Sequence, residues 1–358
     1  MNKSLIFIDI TSNLNHKNIL NKAIGASEYQ CYNLIKQLSN SYNIICYNHN
    51  HTYNIIDNIQ YKHFNEIQHD NIDINTTIIL QRFIPDINKD LYNKIKNNKI
   101  FVWIHDVYCD GPITFNYNKE VPTDISLIHN EIYHNKNINF ICVSEHCKSI
   151  LLNYFSKNNI FIETHRANVI YNILYTDEFN IGINSDIIVN KKYITYASAW
   201  QKGIEHIIKI FDELLKVDNE FILVLLNPGY DWNNFKSYAD TFKEKYGNKI
   251  IIHGPINKNE YAKIIKESLL VLSSTFNETF GCVFAESYYL GTPVIADYRS
   301  GAVKEIIDNN YIVNYDNKQE TIEKILYIKQ HRVNINVELD NKFMIEPNIN
   351  LWKQLLYK

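Results

Sequence analysis

The alternation of short apolar runs with amphipathic stretches most constrains what this chain can fold into. In the C-terminal half, Tyr193–Ser198 predicts a strand, and apolar residues at steps of three and four from Ile204 to Leu215 predict a helix with one buried stripe. Strands are also predicted at Phe221–Leu226 and Ile250–His253, and a helix at Glu260–Ser268. Repeated strand and helix units connect by right-handed crossovers, so we expect a parallel sheet covered by helices.

The N-terminal half repeats this pattern. Its strands are predicted at Leu5–Asp9, Asn43–Tyr47, Thr77–Leu80, Phe101–His105 and Phe140–Val143. A chain of 358 residues is too long for one ordinary core and fits two domains of roughly 170 residues. The polar segment Thr176–Asn184 is the predicted boundary. The fold class is therefore α/β, with two doubly wound domains.

Composition and charge exclude several classes of protein. The net charge of −3 offers no basic surface, which argues against a nucleic acid partner. The opening sequence MNKSLIFIDI is too short and too interrupted by Asp9 for a signal peptide. No run approaches the ~20 apolar residues of a membrane span. We therefore expect a cytoplasmic protein without a transmembrane segment.

The six cysteines have neither the spacing of a disulfide framework nor that of a metal site. Cys46, Cys142 and Cys282 lie in apolar or motif contexts, and the pair Cys142 and Cys147 lacks the spacing and the histidine partners of a zinc site. We expect buried free thiols in a reducing compartment, and no metal ligands.

The most specific pattern lies between Ser273 and Ile307, where seven residues separate Glu278 from Glu286. A strand is predicted before this pair at Leu269–Thr275, and another after it at Pro293–Tyr298. Two readings are open at this point. The two carboxylates either face a ligand at the start of a helix or are solvated side chains on a surface helix.

A helix that begins near Phe280 would direct the backbone N–H groups of Gly281, Cys282 and Val283 outward. The positive end of the helix dipole favours an anion there, such as a phosphate. Glu278 would then lie on the loop before the helix and Glu286 in its second turn. The two carboxylates could accept hydrogen bonds from separate hydroxyl groups.

This pattern resembles the Glu-x7-Glu signature of retaining glycosyltransferases with the GT-B fold, particularly family 4 (glycosyl transferases group 1). The resemblance implies that Glu278 lies by the donor sugar and that Glu286 accepts hydrogen bonds from the ribose hydroxyls. The turn between them binds the donor sugar and diphosphate in this family. Its residues here are Phe280, Gly281, Cys282 and Val283.

The resemblance also implies the layout of the chain. In GT-B enzymes two Rossmann-like doubly wound domains face a cleft. Here the acceptor-side domain would span residues 1–176 and the nucleotide-sugar domain residues 177–345. A C-terminal helix at residues 346–358 would pack back on the first domain.

A second motif, Thr195 to Gly203, runs from a strand into the amphipathic helix. Family 4 members usually have an Arg a few residues before a Lys-Gly pair, and both cations neutralise the departing diphosphate. Here only Lys202 is present, and Ser198 occupies roughly the place of the Arg. Lys202 is either this diphosphate contact or a solvated lysine at a helix start. Arg166, Arg299 and Lys304 are candidates for the second cation.

Four weaker matches complete the resemblance. Gly25 and Ser27 resemble the family's first glycine-rich turn, although Ser27 fits an ordinary helix N-cap equally well. His105 ends a strand where the family often has a histidine near the donor sugar, and a structural histidine is an equal alternative. Gly254 and Ile256 correspond in order to the segment that packs on the nucleobase. Ser144 corresponds to a serine that caps the next helix.

The resemblance implies a retaining, metal-independent glycosyltransferase, with Glu278, His105 and Lys202 as catalytic residues. Its co-substrate would be a nucleotide-diphosphate sugar, with no further cofactor, and its acceptor a glycan or a lipid-linked or protein-linked hydroxyl. Two alternatives stay open, namely a GT-B sugar-nucleotide epimerase and a non-catalytic sugar-nucleotide-binding subunit. A nicotinamide dehydrogenase fits worse, because no G-x-G-x-x-G follows the first strand.

Overall fold

The structure is a computed structural model that describes residues 3–9, 12, 15, 25–50, 54–82, 89–106, 131, 133–157, 159–179, 187–227, 232–332, 335 and 337–357. The chain divides into two compact units. Ser27–Asn172 and Glu346–Lys358 belong to the first unit, and Ile173–Ile345 belongs to the second.

The first unit is built on an eight-stranded sheet with the order β3-β4-β2-β1-β5-β6-β7-β8. Its strands are β1 (Lys3–Ile8), β2 (Tyr42–Asn48), β3 (Asn54–Ile56), β4 (Ile59–His63), β5 (Thr77–Gln81), β6 (Ile100–Ile104), β7 (Ile138–Cys142) and β8 (Ala167–Val169). All neighbours pair in parallel except β3 and β4. In the register of the central strands, Phe7 lies opposite both Cys46 and Ile79. Strands buried on both faces explain the continuous apolar runs.

Three described helices precede the second unit: α1 (Ala26–Leu38), α2 (Lys89–Ile95) and α3 (Glu145–Lys157). Ser144 lies directly before α3, and its Oγ accepts a hydrogen bond of 2.9 Å from the backbone N–H of Cys147. Ser144 is therefore the N-cap of α3, as its position in the sequence predicts. Ser27 is the second residue of α1 and not its N-cap, because the helix already begins at Ala26.

The second unit contains a six-stranded sheet, all parallel, with the order β11-β10-β9-β12-β13-β14. Its strands are β9 (Asn190–Tyr196), β10 (Ile222–Leu226), β11 (Ile250–His253), β12 (Ser268–Ser273), β13 (Val294–Asp297) and β14 (Ile312–Val313). The order reverses between β9 and β12, which lie side by side with Thr195 opposite Val271. Ligands of open α/β sheets bind at the carboxyl ends of the strands at such a switch point.

The helices of this unit are α4 (Ile204–Val217), α5 (Trp232–Tyr246), α6 (Lys258–Glu267), α7 (Cys282–Tyr289), α8 (Val303–Ile306) and α9 (Lys318–His331). The buried face of α4 contains Ile204, Ile207 and Phe211, which join one core with residues of the sheet. This is the single apolar stripe that the sequence predicts. The helix predicted at Glu260–Ser268 begins two residues earlier, at Lys258, because the Asn257 side chain accepts from the backbone N–H of Glu260.

The last helix, α10 (Ile345–Tyr357), packs in the first unit. The fully buried Trp352 lies with its ring centroid 5.0 Å from that of Trp103 and 6.5 Å from that of Phe101, both on β6. The Nζ of Lys99 donates a 2.7 Å hydrogen bond to the backbone carbonyl of Leu355. An indole buried against β6 attaches the C-terminal helix to the N-terminal sheet.

Candidate active site

The segment between β12 and α7 carries Glu278. Helix α7 begins at Cys282, with Gly281 as its N-cap, and not at Phe280 as the sequence suggests. Phe280 is buried, with its ring 5.6 Å from that of Phe343. Gly281 has a φ of 84°, and a Cβ there would lie 2.5 Å from Cδ2 of Phe284. A side chain at position 281 would therefore meet both a strained backbone and the Phe284 ring.

Two backbone hydrogen bonds hold the Glu278 loop in place. The carbonyl of Glu278 accepts from the N–H of Ala302 at 3.0 Å, and the N–H of Asn277 donates to the carbonyl of Arg299 at 3.0 Å. The Glu278 side chain is 17% exposed, and its Oε2 lies 3.2 Å from Nζ of Lys202. Glu278 is thus a fixed, partly exposed carboxylate with a lysine as its ion-pair partner.

Lys202 and Gly203 follow β9, on the other side of the switch point. Lys202 ends a short 3-10 turn that begins at Trp200, and Gly203 has a φ of 94°. The Oγ of Ser274 donates a 2.7 Å hydrogen bond to the carbonyl of Gly203. A Cβ on Gly203 would lie only 2.8 Å from the backbone oxygen of Ser274. The two motifs touch here, and only glycine permits this approach.

Glu286 lies in the second turn of α7 and is almost completely buried, with 8% of its side chain exposed. Its Oε1 lies 2.5 Å from Nζ of Lys258, the first residue of α6. The reading of Glu286 as a solvated surface carboxylate is therefore wrong. Lys258 was not among the site residues predicted from the sequence. A cation at the N-terminus of a helix is locally unfavourable, and this signal indicates that the lysine has a partner.

The Cys282 thiol lies within electrostatic range of both ion pairs. Burial and the Glu286 carboxylate raise its pKa to about 12, Glu278 adds to this effect, and Lys258 and Lys202 oppose it. Cys282 is therefore a neutral thiol at pH 7 and not a nucleophile. Two carboxylates and two ammonium groups thus surround the start of α7, and their charges balance.

Two of the three candidates for a second cation, Arg166 and Arg299, have other partners. Arg166 is buried in the first unit and donates to the backbone carbonyls of Tyr133, Asn135 and Ile138. Arg299 pairs with Asp297 at 2.7 Å and with Asp316 at 2.9 Å. Lys304 is an exposed residue of α8. Ser198 is half-buried between β9 and the 3-10 turn. Lys202 is therefore the cation that contacts Glu278, and the structure does not bring Arg166 or Arg299 to this site as a second one.

Residues 184–343 match the family model described as glycosyl transferases group 1. This segment of the second unit is similar to that family. The curated protein "Uncharacterized glycosyltransferase MJ1607" from Methanocaldococcus jannaschii is 27% identical over 156 residues. That match covers 40% of this chain and 38% of the length of the relative.

Solved structures match the fold over the whole chain. The α,α-trehalose 6-phosphate synthase from Burkholderia multivorans superposes with a TM-score of 0.70 at 10% identity, covering 100% of this chain and 98% of that one. Anabaena Alr3699/HepE superposes with a TM-score of 0.64 at 11% identity, covering 99% of this chain and 100% of that one. These comparisons confirm the predicted GT-B fold. The family match at residues 184–343 supports the prediction of a glycosyltransferase.

The matched residues 184–343 also contain the segment predicted to face the nucleobase. Gly254 and Ile256 lie in the loop between β11 and α6, and both are half-buried. Asn257 and Lys258 follow them directly. This loop therefore leads into the helix whose first residue contacts Glu286, which links the predicted base segment to the second glutamate of the motif.

In the first unit, Arg82 is a second residue that sequence reasoning missed. It follows β5 with a φ of 73°, which is unusual for a non-glycine residue. Its guanidinium contacts Glu28 at 2.8 Å and Asp106 at 2.9 Å. The side-chain amide of Gln81 donates to the carbonyl of Ser27 at 2.8 Å. These contacts fix the start of α1 to the end of β5.

His105 directly follows the neighbouring strand β6 and is buried, with its ring centroid 4.5 Å from that of Trp103. Burial, and secondarily the charge of Arg82, lowers its pKa well below 6.5. His105 is therefore neutral at pH 7. Gly25 lies directly before α1. The roles of His105, Gly25 and Ser27 towards a donor or acceptor stay predictions.

The described residues contain no group of three or more His, Cys, Asp or Glu side chains placed to hold a metal ion. Cys31, Cys46, Cys142 and Cys147 are buried free thiols, and Cys282 is a partly buried one. Within this described part of the chain, no helix is both long enough and apolar enough to span a membrane.

Proposed function

We propose that the protein is a retaining glycosyltransferase that moves a sugar from a nucleotide-diphosphate sugar to a hydroxyl acceptor without a bound metal ion. The observation that carries the proposal is the meeting of Lys202, Glu278 and the first turn of α7 at the switch point of the second sheet. A cation, a carboxylate and backbone N–H groups at a helix start are the groups that a sugar diphosphate requires.

The donor would bind along α7. Glu286 would accept from the ribose hydroxyls, and the N-terminus of α7 at Gly281 and Cys282 would receive the diphosphate. The structure of Anabaena Alr3699/HepE contains UDP and glucose, which supports a nucleotide sugar as the donor class. Gly254 and Ile256 would contact the base.

Breakage of the bond between sugar and diphosphate places growing negative charge on the leaving group. Lys202 and the helix N-terminus would stabilise this charge, and they would do so without a divalent cation. Glu278 would stabilise the positive charge that develops on the sugar. Its ion pair with Lys202 holds the carboxylate beside the ammonium group that would contact the diphosphate.

Retention would follow if the acceptor attacks on the face that the diphosphate leaves. The departing phosphate oxygens can then accept the proton of the acceptor hydroxyl, so an obligatory protein base is unnecessary. The acceptor would be a hydroxyl of a glycan or of a lipid-linked or protein-linked group. We further propose that the reaction takes place in the cytoplasm, where sugar nucleotides would be the donors.

The test begins with thermal-shift and calorimetric titrations of UDP, GDP, ADP and TDP sugars. The donor that binds is then incubated with a panel of hydroxyl acceptors, and the anomeric configuration of the product is read by NMR. Glu286→Gln is expected to weaken donor binding, whereas Glu205→Gln is the matched control, because Glu205 is an exposed residue of α4.

Each outcome distinguishes the proposal from its alternatives. Transfer with retention supports it, and transfer with inversion contradicts the mechanism. Release of the sugar to water with a changed configuration at another carbon favours an epimerase. Tight donor binding with no turnover on any acceptor favours a non-catalytic subunit. Absence of binding to all nucleotide sugars contradicts the donor assignment.

A further inference from the structure

The ion pair between Lys258 and Glu286 has no role in the mechanism described above. Nζ of Lys258 lies 2.5 Å from Oε1 of Glu286, and the lysine side chain is 34% exposed. The pair therefore lies at the border between the core and solvent. A carboxylate as buried as that of Glu286 is costly unless a cation or hydrogen-bond donors compensate its charge.

Two aromatic rings fix the position of this lysine. Nζ of Lys258 lies 5.0 Å from the ring centroid of Tyr261 and 5.5 Å from that of Phe179. Tyr261 is on the next turn of α6, and Phe179 is fully buried. Both rings attract a cation through their negative faces. An ammonium group held by two rings and a carboxylate has little freedom to rotate away.

The Tyr261 hydroxyl belongs to the same cluster. Burial and the nearby Glu286 carboxylate raise the pKa of Tyr261 well above 10.0. The hydroxyl is therefore neutral and lies next to the glutamate. Lys258 and Tyr261 thus lie beside Glu286, and the Phe179 ring lies against the lysine.

We infer that Lys258 is a positioning residue that holds Glu286 for nucleotide recognition. A carboxylate has two oxygens, and Lys258 occupies Oε1. We assign Oε2 to a ribose hydroxyl of the bound nucleotide. This inference rests on the proposed function, because it takes Glu286 as the group that contacts the ribose.

Lys258 would act on nucleotide binding in two separable ways. Its charge compensates that of Glu286 and so lowers the repulsion that any anionic nucleotide meets, whether or not its sugar carries both hydroxyls. Its position also fixes the orientation of the carboxylate, and this affects only nucleotides with the contacting hydroxyl. The ratio of affinities for ribonucleotide and deoxynucleotide therefore reports positioning and not charge.

Calorimetry tests this with the nucleoside diphosphate that binds the parent protein best and with its 2′-deoxy and 3′-deoxy forms. Lys258→Met is expected to weaken ribonucleotide binding about tenfold or more, because the carboxylate loses both its compensating charge and its fixed orientation. The deoxy form that lacks the contacting hydroxyl is expected to lose less affinity for this variant than the ribonucleotide loses. The preference of the protein for ribose therefore falls. Lys258→Arg is expected to restore this preference in part, since it retains the cation.

Lys263→Met is the matched control, because Lys263 is an exposed residue of the same helix. It is expected to leave every affinity unchanged. If Lys258→Met does not fold, Lys258→Gln takes its place, and the same fall in ribose preference is expected because the amide is shorter and uncharged. Thermal unfolding without nucleotide measures any purely structural effect of each substitution.

An unchanged ratio of ribose to deoxyribose affinity in the folded variant overturns the inference, whether the absolute affinities fall together or stay the same. If the parent binds nucleoside diphosphates but shows no preference for ribose, the assignment of Oε2 to a hydroxyl is wrong. If the parent binds no nucleoside diphosphate, the proposed function fails, and this inference fails with it. The parent titration thus separates the two failures.

Discussion

Nζ of Lys202 lies 3.2 Å from Oε2 of Glu278. These two residues are far apart in the sequence, but each follows one of the two adjacent strands at which the order of the second sheet reverses. The Lys202 side chain is 42% exposed, so its ion pair with Glu278 contributes little to the stability of the fold. An ion pair of this kind can open at low cost, so in the proposed mechanism a diphosphate would replace the Glu278 carboxylate at the Lys202 ammonium.

Lys202→Ala is expected to weaken binding of a nucleoside diphosphate much more than binding of the nucleoside. The loss should be about 1.5 to 3 kcal/mol, the value for a hydrogen bond to a charged group. Transfer should fall further, because negative charge grows on the diphosphate as the bond breaks. Calorimetry on both ligands, together with steady-state kinetics, measures these effects.

Lys202→Arg should restore binding only in part, since a planar fork does not reproduce a point charge. Lys209→Ala is the matched control, because Lys209 is exposed on α4. If Lys202→Ala loses equal affinity for the diphosphate and the nucleoside, Lys202 is a solvated residue. The diphosphate would then bind at the N-terminus of α7 alone.

The two glutamates of the motif are expected to separate binding from turnover. Glu286→Ala should weaken nucleotide binding by about 1.5 to 3 kcal/mol, because the ribose loses a charged acceptor. Glu278→Gln should lower kcat and leave nucleotide binding unchanged or slightly tighter, since Lys202 loses its competing partner. Parent-like nucleotide affinity in Glu286→Ala would show that the ribose assignment is wrong.

Chelation of divalent metal ions with EDTA is expected to leave transfer activity intact. Glycosyltransferases that use a divalent cation hold it through carboxylates and the diphosphate. In the proposed mechanism, Lys202 and the start of α7 would supply the positive charge instead. Initial rates with and without EDTA measure this. Activity that disappears on chelation and returns with added Mg²⁺ or Mn²⁺ would contradict metal independence.

His105 is expected to make the protein less stable at acid pH. Its pKa in the folded state lies well below 6.5, so the unfolded chain binds a proton first as the pH falls. Proton uptake by the unfolded state lowers the free energy of unfolding below about pH 6.5. Between about pH 7.5 and pH 5.5, the melting temperature should fall less in His105→Gln than in the parent. Equal falls in both proteins would contradict the buried, neutral state of His105.

Trp352→Ala is expected to destabilise the first unit by about 3 to 5 kcal/mol, because it leaves a cavity against Trp103 and Phe101. Leu351→Ala on the same helix is the control. Its side chain is 42% exposed, so its effect should be within about 0.5 kcal/mol. Chemical denaturation of the two variants measures both values. A loss as small for Trp352 as for Leu351 would show that the helix contributes little to the stability of this unit.

The sequence predicted the fold well, because the strands of both sheets are buried and their apolar runs are continuous. It predicted the helix between Glu278 and Glu286 from the spacing and from the flanking strands. The start of that helix was displaced, since the left-handed conformation of Gly281 and the burial of Phe280 delay it to Cys282. Local patterns specify an element more accurately than its first residue.

The partners of the site residues could not be predicted from the sequence. Lys258 meets Glu286, and Arg82 meets Glu28 and Asp106, through contacts between different elements. Such contacts depend on which strands are neighbours and on the register between them. The periodicity within one element specifies neither the neighbouring strands nor their register. The charge of Lys258 at the first position of α6 was the one local signal that a partner had to exist.

The attachment of α10 to the first sheet sets the order in which the protein can complete its folding. A ribosome makes Phe101 and Trp103 early, but Trp352 emerges only after every strand of the second unit has been synthesised. Throughout that interval the nascent first unit lacks the indole that covers β6, and its apolar surface is open to chaperones. We therefore expect the second unit to mature first, although its residues are translated later than those of the first sheet.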